Sequence, residues 1–139
     1  MSPEAESIST GRTTTGFSCF AFRKNGRKTD MEHRHLDREQ IVLRLDRGED
    51  VIEQLTEFSR AHDIRCAKVS GIGAVRDATI GYYALDEFTY QTREIPEICE
   101  LLNLTGNVAL LEDDNGGQTP FVHAHVMLAD KDFHVTGGH

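Results

Sequence analysis

Apolar and polar residues alternate with a period of two along much of the chain, the pattern of half-buried strands. Residues 17–23 alternate weakly and residues 40–45 (QIVLRL) more strongly, and the polar stretch between them holds the turn signal Asn25-Gly26. One segment changes period. Val51, Ile52, Leu55 and Phe58 recur at helical spacing, which predicts a helix over about 49–62. Glu49 and Asp50 fall near its positive end, and His62 suits its negative end as a surface residue. Further strands are predicted over 64–70, 74–83, 88–95, 98–111, 121–129 and 133–139. Gly71-Ile72-Gly73 reads as a tight turn joining 64–70 to 74–83, where glycine supplies positive φ. Pro96 puts the end of 88–95 at a sheet edge, Gly106 marks a bend in 98–111, and residues 113–117 (DDNGG) form a turn without EF-hand spacing. Many strands and one clear helix predict an α+β fold with a mixed, mostly antiparallel sheet.

The chain has 139 residues, which suits one domain, and residues 1–16 are polar enough to read as a flexible tail ahead of a domain at 17–139. The tail's Gly11-Arg-Thr-Thr-Thr-Gly16 has Walker-like glycine spacing but lacks the lysine that would reach a phosphate. The GxG at 71–73 lacks the third glycine and the helix of a dinucleotide site. Neither region is expected to bind a nucleotide. Fifteen Lys and Arg oppose 23 Asp and Glu, a net charge of -8. An acidic surface repels phosphate on average, so direct DNA binding is disfavoured. No apolar run approaches the ~20 residues of a membrane span, and the N-terminal residues have neither the basic nor the apolar region of a signal peptide. Cys19, Cys66 and Cys99 cannot all pair and have no CxxC spacing, which suits buried thiols in a reducing cytoplasm.

The candidate chemistry lies in the last 20 residues. His123 and His125 stand two apart in a strand, so both project from one face and can converge on one metal ion. The return strand ends in Gly137-Gly138-His139. A three-residue hairpin loop would pair Ala129 with Phe133, bring His139 opposite His123, and set Gly137 beside His125, leaving room for a metal and its water. A two-residue loop would instead turn His134 to that face and His139 away, and spacing alone leaves both open. A second HxH, His33-Arg34-His35, falls in a loop of alternating charge with no third ligand in view.

Four motifs carry a family resemblance: the terminal GGH, PFVHAHVMLADKD at 120–132, Glu100-Leu-Leu-Asn-Leu-Thr-Gly106-Asn107, and Val69-Ser-Gly-Ile-Gly-Ala-Val75. Their residues and order closely resemble the plant and prokaryote conserved (PPC) domain, in its stand-alone prokaryotic form, over about 17–139. The resemblance implies an α+β fold, a homotrimer, and a binding or regulatory role toward a protein partner or a small-molecule ligand. The Arg-Gly-Arg-Pro hook of DNA-binding plant members is absent here. The family's fold is similar to that of acetolactate decarboxylase, which holds zinc through an HxH pair and a later histidine. That likeness maps onto His123, His125 and His139, favours the hairpin that gathers all three, and makes Zn2+ the expected metal. The PPC pattern implies a further strand after GGH, and the sequence stops at His139. Three neutral imidazoles would leave zinc its full charge and an open position, which allows an enzymatic alternative, a zinc-dependent lyase or hydrolase acting on a carbonyl or carboxylate. Glu100 would then serve as acid/base and Arg65 or Arg76 as carboxylate clamp.

Overall fold

The computed structural model describes residues 16–19 (backbone only), 32–37, 40–112 and 114–139. The tail at 1–15 and the Asn25-Gly26 turn lie outside the described residues. The elements are β1 (Gly16–Cys19), β2 (Glu32–His35), β3 (Gln40–Arg44), α1 (Val51–Ala61), β4 (Ala67–Val75), β5 (Ala78–Ala84), β6 (Thr89–Ile95), β7 (Cys99–Glu112), β8 (Gln118–Ala129) and β9 (Val135–Gly138). Seven strands form one sheet in the order β2-β3-β1-β4-β7-β8-β9, and β5 pairs with β6 in a separate hairpin. β1 runs parallel to both neighbours, and the other pairings are antiparallel. The architecture is α+β, mostly antiparallel, with a single helix among the described residues.

The α1 sequence accounts for both its ends and its buried face. Asp50 caps the N-terminus by accepting the Glu53 N–H at 2.8 Å. Leu55 and Phe58 are buried with Leu43, Val69, Val108, Val122 and Leu128, and α1 packs across β8. The sheet is therefore buried toward the helix and exposed on its other side, where polar residues stand with half-exposed Phe121 and Met127.

Several local expectations are corrected. Gly71-Ile72-Gly73 is not a turn: β4 runs through it to Val75, and the register against β7 shifts between Gly71 and Gly73 as a bulge. The turn comes at Arg76-Asp77, where Asp77 has φ +54°, and β4 and β5 then pair with different strands. Strand β7 is one 14-residue element whose irregularity falls between Leu101 and Asn103 instead of at Gly106. His33-Arg34-His35 lies in β2 and not in a loop. Cys66 is exposed, whereas Cys99 is buried.

Candidate metal centre

The central strands build the site. In β8 the residues that face the core are Val122, Ala124, Val126 and Leu128, which leaves His123 and His125 on the polar face. Directly opposite them on β7 stand Asn107 and Thr105, and the next strand continues the same rows with Lys68 and Ser70. The β8–β9 pairing aligns Ala129 with Val135, Met127 with Gly137 and Val126 with Gly138. One more step of this register puts His139 opposite His125. The connecting loop therefore has five residues, 130–134, in place of the three of the simplest odd hairpin. Both lengths are odd, so His139 still shares the face of His123 and His125.

The three rings meet. Centroids are 5.2 Å apart for His123 and His125, 4.8 Å for His123 and His139, and 5.5 Å for His125 and His139. Imidazoles bound tetrahedrally to one ion at ~2.0–2.1 Å would have centroids about 5 Å apart, and these centroids have that spacing although the ring nitrogens are not all within 4.8 Å of one another. His139 is fixed from the other side by the β5–β6 hairpin: Gly81 N–H donates to His139 O at 2.7 Å, and His139 N–H donates to Gly81 O at 2.8 Å. Tyr90 of β6 sets its ring 4.9 Å from that of His139. Partial burial, then the nearby charges of His123 and His125, push the His139 imidazole below its ordinary value. That favours the neutral ring a metal needs.

The glycines of the motifs explain how the strands come this close. A Cβ on Gly106 would collide with the His123 carbonyl oxygen, and one on Gly137 would lie 2.5 Å from that of Val126. A Cβ on Gly138 would meet Gly81 O at 2.8 Å, so Gly137-Gly138 lets β9 fit between β8 and β5. Gly137 therefore serves strand approach opposite Met127 and does not flank His125.

The remaining candidates, Glu100, Arg65 and Arg76, lie apart from the histidines. Glu100 pairs with Ala129, four residues along β8 from His125, about 13 Å at the usual strand rise. Arg76 is exposed in the β4–β5 turn and pairs with Asp77 at 2.9 Å. Arg65 lies toward the opposite end of β8 and donates to Gln118 Oε1 at 2.7 Å. Tyr90 and Lys68 are site neighbours that the sequence pattern does not single out. Tyr90 reaches the site through a hairpin whose docking no local pattern encodes, whereas Lys68 follows from strand parity once β4 and β7 are paired.

Among the described residues, the group of metal-ligand types whose ligand atoms all lie within 4.8 Å of one another is Asp130, Asp132 and His134, in the 130–134 loop. The turn itself uses these groups. The Asp130 carboxylate accepts N–H bonds from Asp132 at 2.8 Å and His134 at 2.9 Å, with His134 Nδ1 at 3.2 Å. The His134 backbone N–H is the leading reason that the carboxyl titrates below its ordinary range.

Fold and site define an α+β protein with a seven-stranded sheet and a histidine cluster where β9 docks. The family model for the Plants and Prokaryotes Conserved (PCC) domain matches residues 35–139, and the chain belongs to that family. A crystal structure of a plant- and prokaryote-conserved protein from Pyrococcus horikoshii is similar at 33% identity and TM-score 0.63, over 68% of this chain and 63% of that one. A metal-containing protein from Archaeoglobus fulgidus is similar at 44% identity and TM-score 0.61, over 68% and 64%. A Ralstonia eutropha protein named as a candidate DNA-binding protein is similar at 30% identity and TM-score 0.58, over 66% and 60%. The matched region spans just under two thirds of the length of each of these chains. No curated protein matches significantly. Among the described residues no helix is long and apolar enough to cross a membrane.

Proposed function

We propose that this chain is a homotrimeric cytoplasmic binding module whose His123, His125 and His139 hold one zinc ion at which a ligand is recognised. The observation that supports this most is the approach of the three rings to 4.8–5.5 Å between centroids. The metal-containing relative from Archaeoglobus fulgidus adds to it. Three neutral imidazoles would leave the ion its full charge and an open position, suited to a carboxylate or carbonyl oxygen. Thr105 and Asn107 share the face and offer hydrogen bonds beside that position. Direct DNA binding, the role suggested by the name of the Ralstonia eutropha relative, is opposed by the net charge of -8.

The test is zinc per protomer in protein purified without a histidine tag, beside His123→Ala. The expected result is a triad-bound equivalent that His123→Ala releases. Zinc content unaffected by His123→Ala overturns the reading. The enzymatic alternative draws on the open coordination position. It predicts turnover of α-keto, β-keto or ester substrates that a chelator abolishes. A panel without turnover on zinc-loaded protein leaves the binding role.

A further inference from the structure

The β5–β6 hairpin meets the rest of the fold at both ends of β9. At one end Gly81 exchanges backbone hydrogen bonds with His139. At the other a cavity of about 290 Å3 opens where the last residues of β6, the start of β7, the 130–134 loop and the start of β9 come together. Its apolar floor is Ile95 and Cys99, both buried and both part of the core. The cavity shares no residue with the histidine cluster, so what it does is independent of whether that cluster holds a metal.

Charges of both signs border this cavity. Arg93 stands two residues before Ile95 on β6, so the two project to the same side. Glu97, in the β6–β7 connection, and Asp130 line the cavity as well. Neither Arg93 nor Glu97 forms an ion pair or a hydrogen bond among the described residues. Asp130 is fixed by the N–H groups of His134 and Asp132, which hold its carboxyl below the ordinary range and so keep it ionised. Burial, and then the charges of Glu97 and Asp130, push the Cys99 thiol up. The thiol therefore stays protonated and serves as packing, not as a nucleophile. Thr136 adds a half-buried hydroxyl.

A simple anion entering here would meet the two carboxylates, and a simple cation would meet the guanidinium. Like charges brought together in a partly desolvated cleft oppose binding. A zwitterion with a short apolar part satisfies every wall at once. The volume lies just under the ~300 Å3 at which small-molecule sites usually begin, so the ligand must be small. We propose that this cavity binds an aliphatic α-amino acid, with its carboxylate on Arg93, its ammonium on Glu97 and Asp130, and its side chain over Ile95 and Cys99. Arg93 brings the paired N–H donors that suit a carboxylate. The ligand bridges β6 to the 130–134 loop and β9, so its binding tightens the hairpin against the strand that leads to His139.

The experiment titrates the metal-free full chain with alanine, valine, leucine and isoleucine by calorimetry and follows melting with each. At least one should bind at about one equivalent per chain and raise the melting temperature. Arg93→Gln and Glu97→Gln should each weaken that binding at least about tenfold, as the loss of a charge-assisted contact does. Both side chains are exposed, so both variants should keep the fold, which circular dichroism checks. Glu94→Gln, on the opposite side of β6, should leave the affinity unchanged. The same carbon skeleton without its amino group, or with its carboxylate esterified, should bind more weakly than the amino acid. Binding should persist in His123→Ala with His125→Ala, which separates the cavity from coordination to a metal at the histidine cluster. Absence of binding by all four amino acids at millimolar concentration overturns the proposal. So does binding that survives both Arg93→Gln and Glu97→Gln, that is matched by the deaminated acid, or that is lost with His123→Ala and His125→Ala.

Discussion

His139 shows how one residue carries several constraints. Its backbone bonds to Gly81 in both directions, its ring contacts Tyr90, and His123 and His125 approach from β8. Partial burial first, and then the two neighbouring imidazoles, hold its pKa below the ordinary value of about 6.5. The sign of the pH effect follows. As pH falls through about 6.5, the unfolded chain takes up a proton at this ring before the folded one does. This group's contribution to stability is present above that pH and is lost as pH falls through the folded-state value. In metal-free protein the His139 C2-proton resonance should titrate with a midpoint below about 6.5. His123→Ala with His125→Ala should move it upward only part of the way, because burial is the larger cause. A midpoint at or above the ordinary value would contradict the packing described for this ring.

Strand parity explains what can be read from the sequence about the elements. Loops of three and five residues both turn His139 toward His123 and His125 and a two-residue loop does not, so spacing leaves the third histidine open and the family resemblance selects it, although the β8–β9 register differs by two residues. The helix is legible because Val51, Ile52, Leu55 and Phe58 recur at its spacing and Glu49 and Asp50 stand near its positive end. The bulge in β4 is not, because glycines serve turns and bulges alike and only the β7 partner distinguishes them. Gly106 gives the test at this scale. Alanine there would drive its Cβ against the His123 carbonyl, and neither backbone can yield without parting β7 from β8. Gly106→Ala should cost about 1–3 kcal/mol or more in urea unfolding, as overpacking does. It should also weaken zinc binding by displacing His123. Wild-type stability in the variant would mean that the two strands lie farther apart than described.

For the whole molecule, the question is what covers the apolar side chains that the sheet and its appended hairpin leave outside. Tyr82, Leu85 and Phe88 of the β5–β6 region are 69%, 71% and 82% exposed, and Phe121 and Met127 stand half-exposed beside the histidines on β8. Two-stranded hairpins are marginal alone. This one is held by Ile80, Ala84 and Ile95 in the core and by the Gly81–His139 pair. Covering its outer side in an assembly would stabilise the element that positions His139, which links oligomer formation to metal affinity. Association into the proposed homotrimer predicts a sedimentation-equilibrium mass of three times the 15.6 kDa protomer. Leu85→Glu with Phe88→Glu introduces charges that cannot be buried unpaired without a cost of several kcal/mol each. That variant should sediment as one protomer, with weaker zinc binding at the His123, His125 and His139 cluster. A wild-type mass of one protomer would exclude the trimer. A variant that remains trimeric would move the interface away from the hairpin, to the β8 face around Phe121 and Met127.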